Sequence, residues 1–521
     1  MGMSKLPINQ AQLVELWRQV QSASEVQSKE FGDVALQYHL AEQFGLIDIL
    51  DRAAGKRDQG ISAGLATVLM AIHRNSDPGS KLSFLEWYPT TILPELTGVS
   101  PQEVTYHDLL SSMDYWKGEA IAQAEADITL KTGKAYRIRF HTLAWDASSC
   151  YFDAKVNELL QFGYSRDHRP DRPQIGTDMF IDPESGFVPY ARSYEGSRAD
   201  VTRFPEALQD FQKQYPDIQE VTILLDRGPA SERNLVLLRQ LHYHVIAGLP
   251  FKGQWACLIE KGDVCETCFN LKGTRLGSKV LSVHLDGHRF FVHVYYNHKR
   301  AQQEQRQRLR ALSACRKELE GLRLGQYQLK TYQHIRKRVD QVLQKHKVKS
   351  FLKVEVKKSR GQDQFHLDIQ PQKRALSRAE NRDGRFALIT DRQELTSKDV
   401  LIQYRSKDKV ESAFSIIKGP VALRPVFHYS PQRIKAHVFI CHLALFLRNL
   451  LDLLLKVKDV ALTPQKALKK AKEVHITKVY FQQTKQTFWT LNQIDPEIQK
   501  IFDAVKLKPQ QLLADAGLSP P

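Results

Sequence analysis

The chain has 521 residues, more than one hydrophobic core usually serves, so two or three domains are expected. Hydrophobic residues make up 42% and charged residues 26%, which excludes a long disordered or fibrous chain. The net charge of +17 points to a polyanionic partner, either nucleic acid or an anionic membrane. The most apolar segment, Val438 to Val457, contains His442, Arg448, Asp452 and Lys456, too polar a set for a membrane span of about 20 residues. Met1 to Leu6 leads into polar Asn9, Gln10 and Gln12, unlike a secretory leader. Six cysteines in so long a chain do not make a disulfide scaffold and fit a reducing cytoplasm. Cys265 and Cys268 form a CxxC with Cys257 upstream, but no second CxxC follows; they read as ordinary cysteines of a β-rich region rather than zinc ligands.

Residues 1–130 read as a helical N-terminal domain for DNA-end binding or dimerisation. Its helices are Gln10 to Gln21, Val34 to Ala54 and Ile61 to His73, punctuated by Asp77-Pro78-Gly79 and Pro94. Around Arg137 the pattern changes. Ile138, Phe140 and Thr142 alternate with Arg137, Arg139 and His141, as in a half-buried strand that reaches Asp146 and continues to Phe152. A turn-rich loop, Asp167 to Pro173, precedes strand-like runs at Gln174 to Ile181 and Gly186 to Tyr194. Val221 to Leu225 is a continuous apolar run, expected of a buried strand, and it ends in Asp226-Arg227-Gly228-Pro229. Ser231 can cap a helix through Leu241, and Val245 to Leu249 is the next strand. This α/β unit places Asp226 at the carboxyl end of its strand, where open α/β sheets usually bind ligands.

Pro250 to about Asn297 is β-like, and a basic helical region follows. Between Lys299 and Arg360 there are 19 Lys or Arg and 5 Asp or Glu, a net of +14. Arg336, Lys337 and Arg338 stand in it as candidates for DNA-backbone contact by counterion release; a solvated helix pair is the alternative. Asp383-Gly384 turns into the apolar run Phe386 to Thr390, and Thr396 with Asp399 fits a capping box opening a helix from Ser397 to Gly419. Gly419-Pro420 stops that helix. From Arg433 the chain reads as amphipathic helix, then as a basic helical tail.

At ~100° per residue, Tyr404, Lys407, Glu411 and Lys418 share a stripe about 60° wide on the Ser397 to Gly419 helix. Val410, Phe414 and Ile417 form an apolar stripe beside it. Alone, Glu411 reads as a solvated helix acid, and Asp146 and Asp226 as turn or cap acids. Together, two strand acids and one helix acid can converge on one sheet edge. Three carboxylates suffice for two Mg²⁺ ions about 4 Å apart, which leave room for substrate phosphate.

Tyr404-x2-Lys407-x3-Glu411-x6-Lys418 resembles the Tyr-x2-Arg-x3-Glu-x6-Lys signature of a branch of DDE-type transposases of bacterial insertion sequences, with Lys407 where the family has Arg. Leu225-Asp226-Arg227-Gly228 with Ser231 to Leu235 is similar to the family's second-Asp region. Gly163 to Pro170, Leu423 to His428 and Asp77 to Leu82 are also similar to it, and the resemblance covers roughly residues 35–460. Trp145-Asp146-Ala147-Ser148-Ser149 matches the first-Asp region more loosely, and Asp153 is the alternative first acid.

The resemblance implies an α/β fold, α+β overall: a ribonuclease-H-like mixed sheet with flanking helices, interrupted by a β-plus-basic-helix insertion. The catalytic domain would take 131–249 and 381–460, the insertion 250–380, and a helical basic tail 461–521. It also implies catalytic and metal-binding roles for Asp146, Asp226 and Glu411, with two Mg²⁺ ions for which Mn²⁺ can substitute. Tyr404, Lys407 and Lys418 would hold terminal phosphates, with Arg227 and Arg424 as further DNA contacts; for Arg424, His428 and Arg433 structural salt bridges are an equal alternative. The expected partners are double-stranded DNA, as element ends and target, and a second copy of the chain in a synaptic complex; no membrane is expected. The expected place is the bacterial cytoplasm, at the nucleoid. A repurposed, inactive binder of the same fold and a nuclease without strand transfer remain as alternatives.

Overall fold

Glycines and polar runs, rather than the ends of the apolar pattern, decide where several helices of this α+β chain stop. A computed structural model describes residues 23–55, 60–153, 155–260, 266–326, 328–358, 365–424, 426, 428–481 and 485–518. The expected helix from Gln10 to Gln21 and Cys265 lie outside the described residues. The chain forms two units, one of Met1–Val221 with Ser406–Pro521 and one of Thr222–Arg405.

The first unit opens with β1 (Ala23–Glu30). The helix expected from Val34 to Ala54 is two, α1 (Gly32–Phe44) and α2 (Leu46–Ala54), because Gly45 adopts φ +63 and closes the first with a left-handed cap. There follow α3 (Ala63–Ser76), α4 (Lys81–Trp87), α5 (Leu93–Thr97), α6 (Tyr106–Asp114) and α7 (Gly118–Tyr136). Ser62, Ser80 and Thr105 accept the backbone N–H groups of Leu65, Ser83 and Asp108 and so start α3, α4 and α6.

The strand expected from Arg137 begins later. α7 runs on to Tyr136, Arg137 caps it at φ +55, and β2 spans Thr142–Tyr151. Asp146 is therefore in the middle of a strand, not after one. β3 (Gln174–Ile181) and β4 (Tyr190–Glu195) complete an antiparallel set in the order β2-β3-β4. Trp145 lies opposite Phe180, and α8 (Asp200–Gln214) covers that face, with Trp145–Phe204 and Phe180–Phe211 ring centroids 5.1 and 4.7 Å apart. Asp146, opposite Met179, belongs to the other face by strand alternation.

In the second unit β5 (Thr222–Leu225), α9 (Glu232–Gln240) and β6 (His244–Gly248) form the expected α/β turn: β5 and β6 are parallel and Ser231 caps α9. The segment from Pro250, expected to be β-like throughout, first forms α10 (Gly253–Glu260), then β7 (Thr267–Leu271), β8 (Thr274–Leu285) and β9 (His288–Tyr296). Next come α11 (His298–Glu320), α12 (Tyr332–Lys345), β10 (Leu352–Lys358), β11 (Phe365–Pro371) and α13 (Lys373–Arg382). β12 (Arg385–Thr390) and α14 (Ser397–Ser406) close the unit. Its sheet runs β5-β6-β12-β9-β8-β7 and is antiparallel apart from β5-β6. The basic region is thus not purely helical: α11, α12 and the β10-β11 pair share a small core of Cys315, Leu319, Ile335, Val339, Leu343 and Val354 among others.

The chain returns to the first unit with α15 (Asp408–Lys418), α16 (Pro431–Val457), α17 (Pro464–Ala471), β13 (His475–Phe481), β14 (Gln486–Leu491), α18 (Pro496–Ala504) and α19 (Pro509–Asp515). The tail expected to be helical thus contains two strands, and β13 joins β1 to β14 in an antiparallel sheet. α16 is long and apolar enough to cross a membrane, but 78% of its apolar window is buried inside the protein. It packs on α1, α3, α6, α15, α17, α18 and β4.

Gly32 holds the start of α1 against the C-terminal segment. A Cβ there would stand 2.0 Å from the Ala471 carbonyl oxygen, a backbone atom. Gly32→Ala is expected to destabilise the first unit by about 1–3 kcal/mol, read as a lower urea midpoint at unchanged slope. Beside it, burial pushes the Asp33 carboxyl up from 3.8 to about 6, and Ser76 and Lys472 only partly oppose this. The folded state therefore holds a proton that the unfolded state has lost. Stability falls as pH rises from about 4 to 6 and stays lower above that. Asp33→Asn should match wild type near pH 4 and exceed it at pH 8 by roughly 1–3 kcal/mol, measured by urea unfolding at both pH values.

Candidate functional site

In the second unit the apolar run of β5 is fully buried and delivers Asp226 to solvent at its carboxyl end. Tyr404, in the last turn of α14, donates its hydroxyl hydrogen to Asp226 Oδ1 at 2.9 Å, across 178 residues of sequence. α14 is held in place from its start. Thr396 Oγ1 accepts the Asp399 N–H, and Ser397 is gripped by His293 and by the Tyr295 hydroxyl, which donates to its carbonyl at 2.7 Å. Gly248, last residue of β6, leaves the space that Tyr404 fills. A Cβ there would lie 2.7 Å from the Tyr404 hydroxyl and 3.0 Å from Arg227 Cγ. Arg227 is exposed beside Asp226. The unit thus presents a carboxylate, a phenol and a guanidinium at one strand end.

In the first unit α15 packs on β2 and β3 through Val410, Ala413, Phe414 and Ile417, all buried, as the apolar stripe predicts. That brings the helix of Glu411 and Lys418 against the strand of Asp146. Asp146 is half-buried, and its Oδ1 accepts the Ala147 N–H at 2.8 Å. Glu411 is 66% exposed and faces Lys407 Nζ at 3.5 Å. Lys418 is bound to Asp167 at 2.9 Å, and Arg424 reaches the same carboxylate at 3.1 Å. Asp167 is only 10% exposed, so this triad is largely withdrawn from solvent. Arg424 and Arg169 lie over the Tyr151 ring at 4.7 and 5.1 Å. Asp153, the alternative first acid, is exposed and ion-paired with Arg172.

The single helix expected from Ser397 to Gly419 is two, α14 and α15, separated at Lys407. No residue from Ile402 to Lys409 is buried, so nothing holds that turn on a core. Ser406 and Asp408 compete for backbone hydrogen bonds there, and the Val410 N–H takes the Lys407 carbonyl in a tighter turn. The four signature residues therefore do not share one continuous helical stripe: Tyr404 belongs to α14, and Glu411 and Lys418 to α15.

The basic residues of α12 divide. Lys337 is exposed. Arg336 donates to the Val354 carbonyl at 2.8 Å, and Arg338 faces Glu318 at 3.4 Å. Lys345 and His346 also hold Glu318, whose carboxyl they pull down to about 2. Arg433 is bound to Asp114 at 2.7 Å, a structural salt bridge. Cys257 and Cys268 are exposed free thiols. Two functional-looking residues were not singled out as site residues in the sequence: Asp167, hidden in a turn-forming run, and Gly248, an unremarked strand residue.

Asp146, Asp226 and Glu411 are hard oxygen donors of the kind Mg²⁺ takes, with no His or Cys among them. Among the described residues, no three His, Cys, Asp or Glu side chains are gathered as ligands of one ion.

By sequence the chain matches no family model and no curated protein. Among solved structures it is similar to a piggyBac transposase synaptic complex with hairpin DNA, at 8% identity and TM-score 0.40, over 95% of this chain and 83% of that one. A Mos1 transposase paired-end complex with left transposon end is matched at 14% identity and TM-score 0.16, over 37% of this chain and 60% of that one. At these scores neither likeness carries weight, and the argument rests on this chain's own residues.

Gly248→Ala should push Tyr404 off Asp226. With 3-fluorotyrosine incorporated, the Tyr404 resonance is expected to shift in Gly248→Ala as it does in Asp226→Asn, and to stay in place in Gly118→Ala, where a Cβ meets nothing. An unchanged Tyr404 signal in Gly248→Ala would show that the phenol does not depend on that space.

Proposed function

We propose that this chain is a DDE-type transposase that binds the inverted repeats of an insertion sequence, cleaves DNA at them and joins the freed ends to target DNA. The observation that carries the reading is the Tyr404–Asp226 hydrogen bond. A helix signature and a strand signature, recognised separately in the sequence, meet at 2.9 Å inside one unit. Support comes also from the packing of α15, with Glu411, on the strand of Asp146, and from the +14 of residues 299–360.

In this reading the catalytic domain is ribonuclease-H-like, and Asp146, Asp226 and Glu411 hold two Mg²⁺ ions, with Mn²⁺ as a substitute. When bound, the metal would supply the acidity that makes water or a DNA 3′-hydroxyl a nucleophile at neutral pH. The chain's own residues do the rest. Tyr404 fixes the Asp226 carboxylate, Lys407 stands beside Glu411, and the exposed cations Arg227 and Lys337 neutralise phosphate. Lys407 offers a point charge where Arg would offer a planar fork, so it grips phosphate with less directional control. Lys418 and Arg424 reach DNA only if Asp167 releases them; otherwise they brace the end of α15. The working assembly is a homodimer pairing two element ends, at the nucleoid of a bacterial cytoplasm.

The test uses the full chain, DNA carrying its element's ends, and Mg²⁺. Wild type should nick at the ends and join precut ends to a target plasmid. Glu411→Gln, Asp226→Asn and Asp146→Asn should each lose about 100-fold or more in both steps. Equal cleavage by wild type and Glu411→Gln would overturn the assignment. Cleavage without joining of precut ends would make the chain a nuclease, and end binding without any cleavage in Mg²⁺ or Mn²⁺ would make it a binding protein of this fold.

A further inference from the structure

Two cations are buried together in the first unit without an acid. Arg74, near the end of α3, is 4% exposed, and Lys81, first residue of α4, is 6% exposed. Each is a charge that folding must take out of water, at several kcal/mol per ion unless it is paired. Arg74 spends its two terminal nitrogens on carbonyls, donating to Ala422 at 3.0 Å and to Gly79, while its Nε–H is buried without a partner. Lys81 has three donors and, among the described residues, no hydrogen-bond acceptor or ion-pair partner. The groups that act on it are Arg74, which repels it, and the Cys441 thiol. No carboxylate is among the groups acting on Arg74 either.

The surroundings are as electropositive as the pair itself. His73 and His437 are each 2% exposed, and His428 stacks at 5.6 Å from His437. Burial and the neighbouring Arg74 and Lys81 hold the imidazoles of all three well below their usual range, so all three are neutral at pH 7. His437 Nε2 donates to the Leu423 carbonyl at 3.2 Å, which fixes its neutral tautomer. Asp114 is the one acid acting on this group, through His428, and it is already paired with Arg433 at 2.7 Å. The charge of Arg74 and Lys81 is left without an internal counterpart.

We infer that a small inorganic anion of halide size is held between Arg74 and Lys81, beneath α16. It would accept from Arg74 Nε–H and the Lys81 ammonium, and so satisfy both buried donors at once. A small monovalent anion is favoured over an oxyanion because the donors left unused belong to only two side chains, whereas a tetrahedral oxyanion needs donors on several sides. The site lies below the 419–430 segment that follows α15, and Arg74 holds that segment by the Ala422 carbonyl. The inference does not depend on the transposase reading, since it concerns only the fold of this unit.

The experiment follows thermal unfolding of the full chain at constant ionic strength as gluconate is replaced by chloride. An ion bound only by the folded state should raise the midpoint with concentration, by about 3 °C or more at saturation. In Lys81→Met the chloride dependence should vanish while the protein stays folded. If that variant does not fold, bromide anomalous scattering from wild-type crystals decides, with a peak expected within about 3.5 Å of Arg74 Nε and Lys81 Nζ. A midpoint that ignores chloride, an equal response in Lys81→Met, or bromide-soaked crystals without that peak would each overturn the inference.

Discussion

The burial of α16 is the constraint on which the first unit depends. Its 27 residues meet elements from both parts of that unit: α1, α3, α6 and β4 before the excursion, and α15, α17 and α18 after it. Leu443, Leu445, Leu447, Leu450, Leu451 and Leu455 are each nearly or fully buried. At about 1.5–3 kcal/mol for each fully buried leucine, this helix outweighs any single ion pair in the unit. Its polar residues are satisfied rather than exposed. Arg448 donates to Asn75 Oδ1 at 2.6 Å, and Asn75 in turn donates to the Ala444 carbonyl at 2.9 Å. Charges that argue against a membrane span thus serve as internal struts between α3 and α16.

The candidate chemistry sits on elements whose positions follow from such packing. α15 is placed by its four buried apolar residues, and α14 by Thr396, His293 and Tyr295. Between them the chain has no buried residue, and there the two units part. Glu411 and Asp226 remain exposed, as groups that must meet a large substrate need to be. Asp167 shows the opposite case, a carboxylate withdrawn from solvent by two cations that would otherwise be free to meet phosphate.

Much of this was readable from the residues. All eight residues of β3 are buried and its bounds match the apolar run; β5, the Ser231 cap, β12 and the anchoring stripe of α15 were equally plain. Other features depend on partners that local pattern does not reveal. β13 is a strand because β1, some 450 positions earlier, supplies its hydrogen bonds. The helix break at Gly45 needs a positive φ that the apolar period conceals. The break at Lys407 needs knowledge that no core lies beneath that turn. Gly248 matters only once the Tyr404 ring is beside it, and Asp167 reads as one more turn aspartate until Lys418 and Arg424 arrive.

The first unit is made from two stretches of chain with the whole second unit between them. During synthesis, 300 residues separate Val221 from the last residue. At ~5–20 residues per second, the ribosome needs about 15–60 s to supply them. Through that interval the faces of α1, α3 and α6 that will receive α16 have no cover, while Thr222–Arg405 can complete its own sheet as it emerges. The nascent protein is therefore half-built in a defined order, with its inner unit finished first. Its outer unit is open to chaperones until the stop codon is near.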